Sequence, residues 1–227
     1  MNQPAFATVI LDVDSTVSGI EGIDWLAARR GAAVAREVAA LTDRAMRGEI
    51  ALEDVYGARL ALVRPDRDGL DALSREYIAH IAPGCVRAVA TMREAGVDVK
   101  LVSGGLRPAI VPLTGHLGLS PQDLFAVDVA LDVSGDYVSF DASSPLTTAN
   151  GKQTVVESMS MPRPAVAVGD ASTDLAMRPA VDWFVCFTGF RHRDAIVRQA
   201  DAVVASFDEL LRIVLPTEAL SSRRPPI

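Results

Sequence analysis

Five short apolar runs, FATVILD, VDVKLVS, LFAVDV, AVAVGD and WFVCF, recur along the chain, and each is followed by a turn and a helix-like stretch. Continuous apolar strands alternating with helices imply a parallel sheet covered on both faces, so the expected fold is α/β, with a Rossmann-like three-layer core. In such sheets the ligand site lies beyond the carboxyl ends of the strands. Three of the runs stop at Asp12, Ser103 and Asp170, which places a polar side chain at each of those ends.

The rhythm breaks between Ser18 and Ala82, where EGIDWLAARR, AVAREVAALTDRAMRG, LEDVYGARLALV and LDALSREYIAHI carry apolar residues at helical spacing. An insertion of that length is too long for a plain loop in a compact domain. The expected division is a core of residues 1–17 and 83–215, a helical cap of residues 18–82 and a flexible tail of residues 216–227. Gly19 and the Ala82-Pro83-Gly84 junction flank the insertion and are expected hinges. The segment VALDVSGDYVSF alternates around Ser-Gly-Asp and predicts a small hairpin.

With 227 residues, 49% hydrophobic and 22% charged, the chain has enough apolar material for a core. A formal charge of -7 argues against a nucleic-acid surface or an anionic-membrane patch, both of which need a basic excess. The opening MNQPAFATVILDVDST lacks the basic start and cleavage site of a secretory signal, which predicts a cytoplasmic protein. Cys85 and Cys186 stand far apart, without metal-like spacing, and are expected to be buried thiols.

The sharpest local feature is Asp12-Val13-Asp14-Ser15-Thr16, in which a turn after Asp12 would bring two carboxylates to one site. Taken alone, Asp14-Ser15-Thr16 reads equally well as a helix cap. Ser103-Gly104-Gly105 offers a hydroxyl and a tight glycine turn whose amides face an anion. Gly151-Lys152 opens a helical stretch, and Asp170-Ala171-Ser172-Thr173-Asp174 gathers oxygens at another strand end. Together these form a phosphoryl-transfer kit: a nucleophilic carboxylate, an acid and base, donors for phosphate, a lysine to offset charge, and oxygens for a hard cation such as Mg2+.

In order and spacing, Asp-x-Asp-Ser-Thr, Ser-Gly-Gly, Lys152 and Gly-Asp-x-x-x-Asp resemble the four motifs of the haloacid dehalogenase superfamily of aspartate-based phosphatases. Within it, DVDSTVSGIEGIDWLA, RAMRGEI, ARLALVRPDR, APGCVRAV, LVSGGLR and VGDASTDLAM are similar to the phosphoserine phosphatase family. The resemblance runs from about Val9 to Leu211 and implies an enzyme of serine biosynthesis acting on a small phosphorylated substrate, free phosphoserine. It also implies Asp12 as nucleophile, Asp14 as acid and base, and Ser103 and Lys152 as the phosphate clamp, aided by Gly104 and Gly105. Mg2+ would sit on Asp12, the Asp14 carbonyl and Asp170, supported by Asp174.

Phosphoserine carries an ammonium and a carboxylate, and enclosing both calls for one acid and one base. Glu21 and Arg59 stand where the family places those partners, Met46 matches a pocket position, and Thr173 faces the substrate. Leu52, Leu106 and Ala171 depart from the family pattern without removing a reactive group, so they bear on selectivity. His80, His116 and His192 lie outside every motif and are expected to be structural or surface residues. The same chemistry on another small monoester stays open. A phosphorylated receiver is opposed by Asp14, which would hasten loss of the phosphate, and a non-catalytic binding protein by the complete set of reactive side chains.

Overall fold

The computed structural model describes residues 4–46, 49, 50 and 52–216, apart from the side chains of Met46, Leu52 and Glu53. Met46, an expected pocket residue, and Leu52 therefore have side chains outside the described residues, as do residues 217–227 of the expected tail.

The core is a six-stranded sheet formed by β1 (Thr8–Leu11), β2 (Asp98–Leu106), β3 (Leu124–Val127), β6 (Ala165–Gly169), β7 (Trp183–Phe187) and β8 (Ala202–Val204). Its order is β3-β2-β1-β6-β7-β8, and every pairing is parallel. The central strands β1 and β6 are buried at every position, which is why they read as unbroken apolar runs. Between β3 and β6, β4 (Val129–Leu131) and β5 (Tyr137–Phe140) form the expected antiparallel hairpin.

Four helices fill the long interval after β1: α1 (Gly22–Arg30), α2 (Ala32–Met46), α3 (Leu52–Val63) and α4 (Arg67–Ala79). In α4, Leu70, Leu73, Ser74 and Tyr77 are buried at the spacing of a single helix face. Asp66 caps its start, accepting from the Gly69 N–H at 2.8 Å. The segments leading into and out of these helices are paired: Gly19 N–H donates to the His80 carbonyl at 3.0 Å and Ala82 N–H to that of Val17 at 2.9 Å. The Ser18 hydroxyl adds a bond to the Tyr77 carbonyl at 3.0 Å. The remaining helices are α5 (Cys85–Glu94), α6 (Arg107–His116), α7 (Gly151–Ser158), α8 (Ser172–Leu175), α9 (Asp194–Val197) and α10 (Phe207–Val214).

Two differences from the sequence reading stand out. Strand β2 does not stop at Ser103 but runs through both glycines to Leu106, with a register shift against β3 between Val102 and Leu106. The glycines accommodate an irregular extended edge rather than a helix-start turn. Strand β8 has no counterpart among the five runs, because it is a three-residue edge whose middle residue, Val203, is exposed. Cys85 and Cys186 are free and buried, as expected. Among the described residues, no helix is long and apolar enough to cross a membrane.

Candidate active site

The first residue after β1, Asp12, and the first after β6, Asp170, come side by side because these strands are paired neighbours. The Asp12 N–H donates to the Val168 carbonyl at 3.0 Å, extending that pairing to the edge. Lys152, in the first turn of α7, bridges Asp12 and Asp174, lying 2.5 Å from the latter. The other Asp174 oxygen accepts from the Asp170 and Ala171 N–H groups at 3.0 and 2.9 Å. Asp174 thus holds both Lys152 and the turn after β6.

Asp14 sits across from this group. One of its oxygens accepts from the Gly22 N–H at 2.7 Å and the Tyr77 hydroxyl at 2.8 Å; the other accepts from Ser103 at 3.2 Å. The Gly22 N–H opens α1, so the carboxylate sits at a helix N-terminus, where negative charge is favoured. A side chain on Gly22 would overlap the Tyr77 hydroxyl, which explains glycine there. Ser103 also accepts from the Gly105 N–H at 2.9 Å, so the hydroxyl and the glycine backbone are aimed as a unit. Ser15, with φ of 56°, turns through the left-handed region between Asp14 and the helical segment. Its hydroxyl donates to Glu21 at 2.7 Å.

Burial sets the electrostatics. Asp12, Asp170, Asp174 and Lys152 are exposed by only 4%, 2%, 1% and 6%. Burial and then Asp174 push the Asp12 carboxyl well above its ordinary range, against the pull of Lys152. Burial raises Asp14, opposed by its donors at Gly22 and Tyr77. Asp170 is raised to about 6 by burial and by Asp174. Burial disfavours the Lys152 ammonium, but Asp12 and Asp174 outweigh it and raise its pKa.

Asp12, Asp170 and Asp174 present oxygens that all lie within 4.8 Å of one another. An all-oxygen donor set whose three carboxylates outnumber the two cations on it, Lys152 and Arg193, fits a hard divalent cation.

Of the other expected site residues, Gly104 and Thr173 are half-buried and Gly105 is buried. The Gly104 carbonyl accepts from the Tyr56 hydroxyl of α3 at 2.8 Å, and Tyr56 packs on Phe140 of the hairpin. Glu21 lies beside Ser15, and burial followed by Asp14 raises its carboxyl. Arg59 pairs with Asp24 of α1 at 2.6 Å. His80, His116 and His192 are exposed.

The sequence reading missed the loop after β7. There Arg193 donates to Asp170 at 3.1 Å, and Arg191 donates to Ser15 at 3.1 Å. Neither belongs to a motif, but the topology held a signal. Strand β7 pairs with β6, so its C-terminal loop must reach the edge that carries Asp170.

One consequence concerns Gly169, where a methyl group would overlap the Asp174 side chain. Gly169→Ala is expected to cost about 1–3 kcal/mol in urea unfolding, by overpacking, and to lower activity by displacing Asp174 from Lys152. A variant with wild-type stability and rate would show that this contact relaxes without consequence.

The parallel sheet and its carboxylate edge define an enzyme of the haloacid dehalogenase-like hydrolase class, and the model of that family matches residues 9–178. A chloroplastic phosphoserine phosphatase of Arabidopsis thaliana is 34% identical over 208 residues, 89% of this chain and 70% of that protein. The phosphoserine phosphatase of Rattus norvegicus is 34% identical over 206 residues, 89% of this chain and 91% of that protein. A solved phosphoserine phosphohydrolase-like protein from Francisella tularensis shares the fold, with a TM-score of 0.76 at 22% identity over 89% of this chain and 97% of that one. The chain belongs to the phosphoserine phosphatase family of the haloacid dehalogenase-like hydrolases.

Proposed function

We propose that this enzyme is a magnesium-dependent phosphomonoesterase that works through an aspartyl-phosphate on Asp12 and hydrolyses free O-phosphoserine to serine and phosphate. The observation that carries the reading is the buried Asp12 held by Lys152 at an edge shared with Asp14, Ser103 and Asp170. Asp12 attacks phosphorus, the ester P–O bond breaks, and the departing alkoxide takes the proton of Asp14. Water then gives a proton back to Asp14 as it attacks phosphorus, and the Asp12–phosphate bond breaks to release inorganic phosphate. A carboxyl raised by burial suits that exchange. Ser103, the Gly104-Gly105 backbone and Lys152 bind the phosphate oxygens. Asp12, the Asp14 carbonyl and Asp170 would hold Mg2+, which when bound offsets the charge on the transferring phosphate. Asp174 holds Lys152 in place.

In this reading residues 18–82 form a cap over a core of residues 1–17 and 83–215, hinged at Gly19 and Ala82-Pro83-Gly84, and the enzyme is cytoplasmic. Glu21 receives the substrate ammonium and Arg59 its carboxylate, with Thr173 and Met46 completing the pocket. Arg59 supports this because its buried Nε has no hydrogen-bond partner among the described residues, and a substrate carboxylate would supply one. Arg59→Ala and Glu21→Ala are expected to lower kcat/KM for phosphoserine by about thirtyfold, with a much smaller effect on p-nitrophenyl phosphate. Equal losses on both esters would assign these residues to the fold instead.

A cation held by Asp170 would bind in a pH-dependent way. In the metal-free protein, Asp170 holds its proton more tightly than an unfolded aspartate, with its value raised to about 6. Its contribution to stability is therefore present below about pH 4 and is lost as pH rises through about 6. A cation must displace that proton, so added Mg2+ is expected to raise the Tm strongly at about pH 7.5 and much less at about pH 5. A shift of equal size at both would remove Asp170 from the ligand set.

A further inference from the structure

The loop after β7 brings a second cation to the mouth of the site. Arg191 donates through Nε to the Ser15 hydroxyl at 3.1 Å, and the same nitrogen lies 3.4 Å from Glu21 Oε1. Ser15 in turn donates to Glu21 at 2.7 Å, so the three side chains form one connected group. The loop is seated by Phe190, whose ring packs on Phe187 and lies so close to Gly19 that a Cβ there would come within 2.8 Å of it. Arg191 is thus held against the segment that carries Ser15 and Glu21.

We propose that Arg191 is a specificity-determining residue that occupies Glu21 in the substrate-free enzyme and competes with the ammonium group of an incoming ester. The inference rests on the reading of Glu21 as the ammonium partner. Glu21 is partly buried and lies next to the negative charge of Asp14. A carboxylate so placed attracts a cation in the resting state, and among the described residues Arg191 is the one that reaches it. With side-chain exposures of 48% for Arg191 and 31% for Glu21, the pair is screened by solvent and readily broken. The competition is therefore weak enough for substrate to win, yet strong enough to reduce the preference for amino-bearing esters. An ester without an ammonium group does not need Glu21 and leaves the pair intact.

The test compares kcat/KM for O-phosphoserine and for 3-phosphoglycerate, which carries a hydroxyl in place of the ammonium, in full-length wild type, Arg191→Gln, Glu21→Gln and the double variant. Taking the ratio of the two substrates cancels any general effect of removing a positive charge near an anionic ester. The expected result is a ratio raised about two- to fivefold in Arg191→Gln, the range of a solvent-screened ion pair. The ratio falls in Glu21→Gln, and the double variant matches Glu21→Gln. A ratio unchanged or lowered in Arg191→Gln, while Glu21→Gln still lowers it, overturns the role of Arg191 and leaves the reading of Glu21 standing. A ratio unchanged in Glu21→Gln overturns both.

Discussion

Asp12→Asn is expected to abolish phosphate release while leaving the protein folded. The amide keeps the shape of the carboxylate, and its oxygen can still accept from Lys152, but it has no charge with which to attack phosphorus. In the proposed covalent mechanism, removing the nucleophile lowers kcat on the order of 10⁴-fold or more. Stability should hold or rise, because burial and the neighbouring Asp174 already work against the charged form of Asp12. Thermal unfolding and phosphate release on the same preparation check both halves. A folded variant that keeps most of its activity would move the nucleophile elsewhere.

Lys152→Met carries the second large effect, and here stability falls along with rate. The substitution removes the buried cation that bridges Asp12 and Asp174 and leaves two carboxylates facing each other without it. Breaking a buried pair from one side typically costs about 3–5 kcal/mol. Urea unfolding of metal-free protein should show a lower midpoint with an unchanged slope. Adding Asp12→Asn should restore part of the loss, because one of the stranded charges is gone. A cost below about 1 kcal/mol, or strict additivity in the double variant, would show that Lys152 is not the counter-charge of this edge.

How far the sequence disclosed this site depends on the kind of signal each residue left. Asp12 and Asp170 were legible because each follows a strand buried at every position, so the apolar run itself marks where the polar edge begins. The helices of the inserted segment were legible from their apolar spacing, as in Leu70, Leu73 and Tyr77 of α4. Strand β8 was not, because three residues at a sheet edge with Val203 exposed carry neither length nor a buried face. Tyr77 reads as a core residue by its spacing, and its buried body agrees. That its hydroxyl ends on Asp14 depends on how α4 docks, which no local pattern records. The same holds for Tyr56 on Gly104, for Asp24 on Arg59, and for Arg191 and Arg193. Motifs at strand ends announce themselves; partners delivered from another element by packing do not.

The enzyme proposed here is a magnesium-dependent phosphatase that prefers free phosphoserine. Its most direct test is the initial rate of phosphate release from O-phosphoserine, 3-phosphoglycerate and p-nitrophenyl phosphate, with Mg2+ and with a chelator. The expected result is hydrolysis of all three that depends on the metal, with the highest kcat/KM for phosphoserine. Release that is indifferent to the chelator, or a clear preference for an ester without the ammonium group, would contradict it.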